Sequence, residues 1–248
     1  MIETLQDIIS EEKIQVRYSD IDFDKSLKPF SLLNFFQDIA SDNAERLGFG
    51  YSSIYPKDLM WVLLKYRIEF NHYPEDIQDL VLKTEPRGYN RLFAYRNFEV
   101  KSAGNVIARA SSMWSLVDVN TLSIAKIEGN IESEYLMKHE PKEGDLNFEK
   151  IPEMTGVDYE KEFEVRYNDI DVNMHANNGN YIIWALEPLP TDFRLGHKLK
   201  NIDMLYKKEI KLGEKLISQV QIIENTTLHS LKHANNGDII CQLKCEWV

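Results

Sequence analysis

The stretch Val16-Arg17-Tyr18-Ser19-Asp20-Ile21-Asp22 returns as Val165-Arg166-Tyr167-Asn168-Asp169-Ile170-Asp171, six of seven positions identical at a shift of 149 (165 minus 16). A repeat of so long a period marks duplicated domains rather than a solenoid of short units.

After the first copy, Pro29 to Gly48 carries apolar residues at 32, 33, 36, 39, 40, 44 and 47, a helical rhythm. Pro29 suits a helix start and Gly48 a helix end. After the second copy, Asn177 to Glu187, followed by Pro188, reads as a short helix that is apolar all round and therefore buried. Strand patterns follow each helix. They cover 60–70, 78–86, 91–101 and 105–118 in the first half, and 201–211, 215–224, 227–233 and 238–247 in the second. Tyr66 and Glu69 answer Tyr206 and Glu209 at a shift of 140, and Trp114 answers Trp247 at 133. The shrinking shift means that loops are shorter in the second half, which loops tolerate. The expected class is α+β: two tandem units, 1–145 and 155–248, each a strand, a buried helix and an antiparallel sheet that wraps it. Pro141, Gly144 and Pro152 among charges place the linker near 140–160.

Apolar residues at 43% and charged residues at 28% are ordinary globular usage, so a core forms and disorder is not expected. A net charge of -11 argues against nucleic acid as a partner. The N-terminus has no signal-peptide pattern, and no stretch reaches the roughly 20 apolar residues of a membrane span. A soluble, cytoplasmic protein without stable membrane insertion is expected. Cys241 and Cys245 sit on one face of a strand pattern, ~13 Å apart by strand rise. That is too far for a bridge, so two reduced core thiols are expected.

The two copies diverge where chemistry begins. Asp24 and Ser26 of the first meet Asn173 and His175 of the second, while Asp22 and Asp171 are shared. In an extended segment Asp171, Asn173 and His175 point to one side. They precede a helix N-terminus, whose free N–H groups favour a forming oxyanion. Glu209, on a strand covering that helix, would approach them. Each residue alone has a plainer reading: a cap for the aspartate, an exposed ring for the histidine, a solvated strand face for the glutamate. His-Ala-Asn-Asn-Gly recurs at 233–237, but off the domain shift, and its Asn236-Gly237 is a hairpin-turn signal. There is no phosphate loop, no Gly-x-Ser-x-Gly elbow and no metal-ligand spacing, so neither metal nor cofactor is expected.

The run Asp171-Val172-Asn173-Met174-His175-Ala176-Asn177-Asn178-Gly179-Asn180-Tyr181-Ile182-Ile183-Trp184, with Trp61-Val62-Leu63 and Tyr206-Lys207-Lys208-Glu209, resembles the acyl-acyl carrier protein thioesterases. The likeness covers nearly the whole chain. It implies a tandem double hotdog, each half a long helix wrapped by an antiparallel sheet. It further implies hydrolysis of the thioester on an acyl carrier protein to release a fatty acid, with Asp171, Asn173, His175 and Glu209 at the catalytic positions. Plant members carry a cysteine directly after that glutamate; here Ile210 stands there, so water rather than a thiol is the expected nucleophile. Glu209 or His175 would be the general base. Asn173 would orient the water, Asp171 would fix the site, and amides near Asn177, Asn178 and Gly179 would polarise the carbonyl.

The acyl chain would lie largely in the first half, with Trp61 and the face of Leu32, Leu33, Phe36 and Ile39 as candidate walls. An acidic carrier needs a local basic patch, for which Arg87, Arg91, Arg96, Lys198, Lys200, Lys207 and Lys208 are candidates. Two other classes remain open: a hydratase or dehydratase of acyl thioesters, and a non-catalytic acyl-binding module. Single hotdog units pair, and a tandem chain supplies its own partner, so a homodimer is an option rather than a requirement.

Overall fold

In the computed structural model, residues 8–74, 79–133, 135, 137–171 and 174–248 are described. The chain forms two compact units. Met1–Leu64 and Asn71–Asn147 make the first; Lys65–Phe70 and Phe148–Val248 make the second. Among the described residues, no helix is long and apolar enough to cross a membrane.

The first unit is built around helix α1, Pro29–Arg46, followed by one turn of helix α2, Tyr51–Ile54. Proline at the first position loses no intrahelical bond, because that N–H would have no partner anyway. At the other end Gly48 has φ 78, while its N–H reaches Glu45 O (3.1 Å) and that of Phe49 reaches Ala44 O (3.0 Å). This paired finish satisfies the last carbonyls and needs a left-handed residue, hence glycine. Leu32, Leu33, Phe36, Ile39, Ala40 and Ala44 are buried along one face. Phe36 stacks on Phe98 at 4.4 Å between ring centroids. Full burial of each large side chain contributes about 1.5–3 kcal/mol, so the face outweighs any propensity term.

The strands are β1 Ser10–Gln15, β2 Leu59–Phe70, β3 Asp79–Asn90, β4 Phe93–Ser102, β5 Asn105–Asp118 and β6 Ile124–Ala125. The order β1-β3-β4-β5 is antiparallel throughout, with Ser10 opposite Thr84, Thr84 opposite Phe98 and Phe98 opposite Ala110.

The second unit repeats the plan with β7 Tyr159–Glu164, helix α3 Asn180–Leu186, a single turn α4 Thr191–Gly196, β8 Leu199–Tyr206, β9 Lys215–Ile223, β10 Thr226–His233 and β11 Ile239–Trp247. Its order is β8-β11-β10-β9-β7, and Lys65–Glu69 of β2 pairs antiparallel with β8. The expected long helix is present only in the first unit: α1 has 18 residues and α3 has 7. Nor is α3 buried all round, since Ile183 is 40% exposed. Between Leu186 and β8 there is room only for Pro188, Pro190 and the turn α4, so the helix cannot lengthen.

One buried chain of hydrogen bonds ties α3 to the sheet. His229 Nδ1–H donates to Ala185 O at 2.7 Å, because a carbonyl can only accept. The neutral ring then accepts at Nε2 from the Thr227 hydroxyl (2.7 Å), which itself accepts from Trp247 Nε1–H (2.9 Å). The His229 ring nitrogens, the Thr227 hydroxyl and the Trp247 indole N–H are thus all partnered, as buried polar groups require. Burial holds the His229 pKa down to about 4, although its bond to Ala185 favours the charged form.

The first strand reading of the second half, 201–211, runs too far. The ladder ends at Tyr206, because Lys207 N–H and Lys208 N–H both turn onto Ile240 O (2.8 and 3.1 Å) and β11 offers nothing beyond Ile239. The second His-Ala-Asn-Asn-Gly is a turn between β10 and β11, with Gly237 at φ 73. The linker is strapped down rather than loose. Asp145 takes Arg87 Nε (2.8 Å) in the first unit; Glu149 takes Lys244 (2.9 Å), and Thr155 N–H meets Gln221 Oε1 (2.9 Å), in the second.

Candidate active site

The repeated heptad folds into a loop whose hydrogen bonds explain its asparagines. A 3-10 turn, Tyr167–Asp169, begins it. Arg166 N–H donates to Asp169 Oδ2 (2.8 Å), and its guanidinium spans both carboxylate oxygens (3.0 and 2.8 Å). Burial pushes the Asp169 carboxyl up, but the Arg166 hydrogen bonds and charge outweigh it and its pKa lies below the ordinary value. Asp169 O then accepts Asn177 N–H (2.9 Å) and Asn180 Nδ2–H (2.7 Å), which closes the loop onto the first residue of α3. Asn177 Oδ1 accepts Gly179 N–H at 2.8 Å, and Asn177 O accepts Asn180 N–H at 2.9 Å. These bonds delay the start of α3 to Asn180, three residues later than the sequence pattern suggests.

Inside this frame the chain doubles back. Asp171 N–H donates to His175 O (2.8 Å), and Met174 N–H to Asp171 O (3.1 Å). Met174 has φ 63, a left-handed conformation uncommon outside glycine. Asp171 Oδ1 accepts His175 N–H at 3.3 Å. The segment is therefore a tight loop, not an extended strand, and alternation does not set where its side chains point. Asn173 lies outside the described residues, as does Val172.

The loop brings His175 to Glu209. Beyond β8 the chain runs beside it: Ala176 N–H donates to Ile210 O (2.9 Å), and His175 bridges Lys211. Glu209 thus sits after its strand rather than on it, with Oε2 3.3 Å from His175 Nδ1. Both side chains keep access to solvent, at 23% and 41% exposure. Ile210, directly after Glu209, is 0% exposed and belongs to the core. Tyr206 O–H donates to Asn178 O at 3.1 Å and packs edge-on against Tyr181 at 5.3 Å. Burial raises the Tyr181 phenol far above its ordinary pKa, with the carboxylates of Glu209 and Asp171 adding to the shift, so it stays neutral. Of the expected oxyanion donors, the Asn177 and Gly179 amides are committed to bonds within the loop. Among the described residues the Asn178 amide donates no backbone hydrogen bond.

The first unit carries the same loop almost bond for bond. Lys28 N–H meets Asp20 O (2.8 Å), Asp22 N–H meets Ser26 O (3.0 Å) and Lys25 N–H meets Asp22 O (3.2 Å). Asp22 Oδ1 accepts Ser26 N–H (3.1 Å), and Lys25 has φ 64. Asp22 therefore does for Ser26 what Asp171 does for His175.

Sequence reasoning did not single out Tyr181, Asn180 or Asp169 as supports of the site. Each had a signal: Asp169 is one of the six repeated positions, and Asn180 and Tyr181 stand in the run that carries the family resemblance. The side chains of Asn180 and Tyr181 act through contacts that only the fold creates.

The remaining candidates are spread more widely. Trp61, in the first unit, donates Nε1–H to Phe49 O (2.9 Å) and packs against Ile54, Leu59, Ala94, Leu116 and Ile127, as a core side chain does. Leu32, Leu33, Phe36 and Ile39 are core as well. Two of the basic candidates are spent on structure. Arg87 pairs with Glu85 (3.2 Å) and Asp145 (2.8 Å); Arg96 is buried and donates to Asn43 Oδ1 (2.8 Å) and Thr84 Oγ1 (3.0 Å). Lys208 pairs with Asp238, while Arg91, Lys198, Lys200 and Lys207 are exposed. Cys241 and Cys245 are free, fully buried thiols, and burial raises the pKa of both.

Two units of helix and antiparallel sheet, the second bearing a His–carboxylate pair on a capped loop, make a tandem double hotdog. The acyl-ACP thioesterase N-terminal domain matches residues 8–135, and the C-terminal domain of the same family matches 152–248. The chain belongs to the acyl-ACP thioesterase family. It is 26% identical over 261 residues to a chloroplastic acyl-[acyl-carrier-protein] hydrolase of Cuphea viscosissima, covering 98% of this chain and 63% of that one. With the chloroplastic oleoyl-acyl carrier protein thioesterase 2 of Arabidopsis thaliana it shares 27% over 277 residues, covering 95% and 76%. The chain spans between about half and two thirds of the first plant relatives, 63% and 52% of two Cuphea viscosissima hydrolases. An acyl-ACP thioesterase from Bacteroides thetaiotaomicron superposes with a TM-score of 0.87 at 23% identity, covering 99% and 100% of the two chains. The 12:0-ACP thioesterase from Umbellularia californica gives 0.83 at 19%, covering 97% of each. These likenesses establish the fold.

Proposed function

We propose that this chain hydrolyses the thioester of a fatty acyl group carried on an acyl carrier protein. The observation that carries the reading is the His175–Glu209 pair, at 3.3 Å and open to solvent, beside a loop held by the Asp169 carbonyl and the Asp171 carboxylate. Glu209 as a carboxylate only accepts, so in this reading a neutral His175 turns its Nδ1–H onto Glu209 across the 3.3 Å between them and keeps its lone pair on Nε2. That nitrogen is the general base: it takes a proton from water as the water oxygen bonds to the acyl carbon, and Glu209 holds the tautomer and offsets the charge that develops. The Asn178 amide is the donor left to the oxyanion. When the C–S bond breaks, His175 returns the proton to the thiolate, so one water is consumed and a carboxylic acid and a thiol are formed. Asn173 keeps its assignment as the group that orients the water, and Asp171 becomes a positioning residue through His175 N–H. No thiol takes part, since Ile210 follows Glu209 and both cysteines are buried.

Thiol release from a chain-length panel of acyl carrier protein thioesters tests this. Loss of the base should lower kcat by roughly 10²–10⁴-fold in His175→Ala, and Glu209→Gln should retain more activity than that. A wild type that releases no thiol, or a His175→Ala variant with full rate, refutes it. Loss of water from a 3-hydroxyacyl thioester without thiol release would favour the hydratase alternative.

A further inference from the structure

The strap from Phe148 to Val157 roofs a cavity of about 750 Å³ on the sheet of the second unit. Its floor is crossed by Asp203, Met204 and Leu205 of β8, with the side chains of Asp203 and Leu205 on one face of the strand. Asp203 and Leu205 alternate with Met204 and Tyr206, and strand neighbours face opposite sides. Tyr206 points to α3, so the floor is the face turned away from α3. His175 and Glu209 stand outside the lining. The volume lies within the range of about 300–1,000 Å³ typical of small-molecule sites.

The charges around it do not balance. Lys65, Lys150, Lys207 and Lys232 all line the cavity. Among the described residues none of the four pairs with a carboxylate; Lys65 instead lies over the Phe148 ring at 5.8 Å. Two of the three lining carboxylates have cationic partners outside the lining: Glu149 has Lys244 (2.9 Å) and Asp203 has Arg67, cations that Glu246 (2.6 Å) and Glu69 (3.1 Å) share. The lining therefore carries four lysines against three carboxylates, a local positive excess in a chain whose net charge is -11. Lysines without a carboxylate partner in a concavity attract an anion. Between the cations, half-buried Leu205, Ile151 and Met154 offer apolar wall.

We propose that this cavity is a second ligand site, separate from the His175–Glu209 pair, which takes an amphipathic carboxylate of the fatty-acid class. The carboxylate sits among Lys65, Lys207 and Lys232, and the chain lies against Leu205, Ile151 and Met154. The proposed hydrolysis would release such an acid, and only that link rests on the functional reading; binding does not require turnover.

Methionine-methyl NMR on the full chain tests it, because Met154 lies in the roof and Met174 in the catalytic loop. A His175→Ala protein labelled at methionine methyls is titrated with dodecanoate below its aggregation concentration. The Met154 signal should shift saturably. Dodecanol, which keeps the chain and lacks the charge, should bind at least about tenfold more weakly, as should dodecanoate to a Lys65→Gln/Lys232→Gln variant. That double variant, in an otherwise wild-type chain, should release thiol at the wild-type rate. A Met154 signal that does not move, or equal affinity for acid and alcohol, overturns the site. A Met154 shift in a protein that releases no thiol leaves the site standing and sinks the hydrolase reading.

Discussion

Acid should loosen the second unit through His229. This ring is 1% exposed, donates to Ala185 of α3 and accepts from Thr227, so both nitrogens are used by the neutral form. Protonation would put a hydrogen on Nε2 facing the Thr227 hydroxyl and a charge in the core. Burial lowers its pKa from 6.5 to about 4 in the folded chain. The sign follows from linkage. Between those values the unfolded chain takes up a proton that the folded chain refuses, so stability present above about pH 6.5 is lost as the pH falls toward 4. A gap of about 2.5 units at about 1.4 kcal/mol each gives roughly 3 kcal/mol, a large part of a typical 5–15 kcal/mol stability. Other groups titrate in the same window, so the measurement is a difference. Urea unfolding of wild type and His229→Gln is followed by tryptophan fluorescence from about pH 7.5 to about pH 4.5. Glutamine does not titrate, so the stability advantage of wild type should shrink by roughly 2–3 kcal/mol across that range. An advantage that stays constant, or grows with acid, refutes the argument.

Two further outcomes follow from the loop and the core. Asp171→Asn keeps an oxygen that can accept His175 N–H, so it should hold kcat within about tenfold, while Asp171→Ala, which loses roughly 1 kcal/mol of capping, should fall further; equal losses in the two variants would make the charge, not the cap, the contribution. Iodoacetamide should leave thiol release unchanged, because Cys241 and Cys245 are buried and their thiols are held protonated; inactivation in step with labelling of either cysteine would contradict a water mechanism.

Much of the fold was legible because its signals are periodic. α1 announced itself through seven apolar positions and its terminal Pro29 and Gly48, and the strands of the first unit through alternation. The same periodicity misled after Tyr206: Lys207 to Lys211 looks like more strand, but where a strand stops depends on whether its partner continues, and β11 begins at Ile239. The residues of the site were legible through the repeat, and their geometry was not. Alternation placed Asp171 and His175 side by side on an extended segment; in the structure one caps the amide of the other across a turn at Met174. A left-handed methionine leaves no mark in a sequence. Neither does the spending of the Asn177 and Gly179 amides on their own loop, nor the use of Arg87 and Arg96 to hold the first unit together.

The duplication helps separate scaffold from chemistry. A bond present in both loops cannot be what distinguishes the proposed catalytic half. By that criterion the Asp171 cap, the left-handed residue before His175 and the Asp169 carbonyl acceptor are scaffold, since Asp22, Lys25 and Asp20 reproduce them. What remains private to the second half is Asn173, the imidazole of His175 and a carboxylate that meets it. The first half lacks more than the histidine. Glu69, the counterpart of Glu209, is held by Arg67 at 3.1 Å, whereas the position two before Glu209 is Lys207, which makes no such bond. On this argument the difference between the halves is a change of partner at the glutamate as much as a change of residue at the histidine.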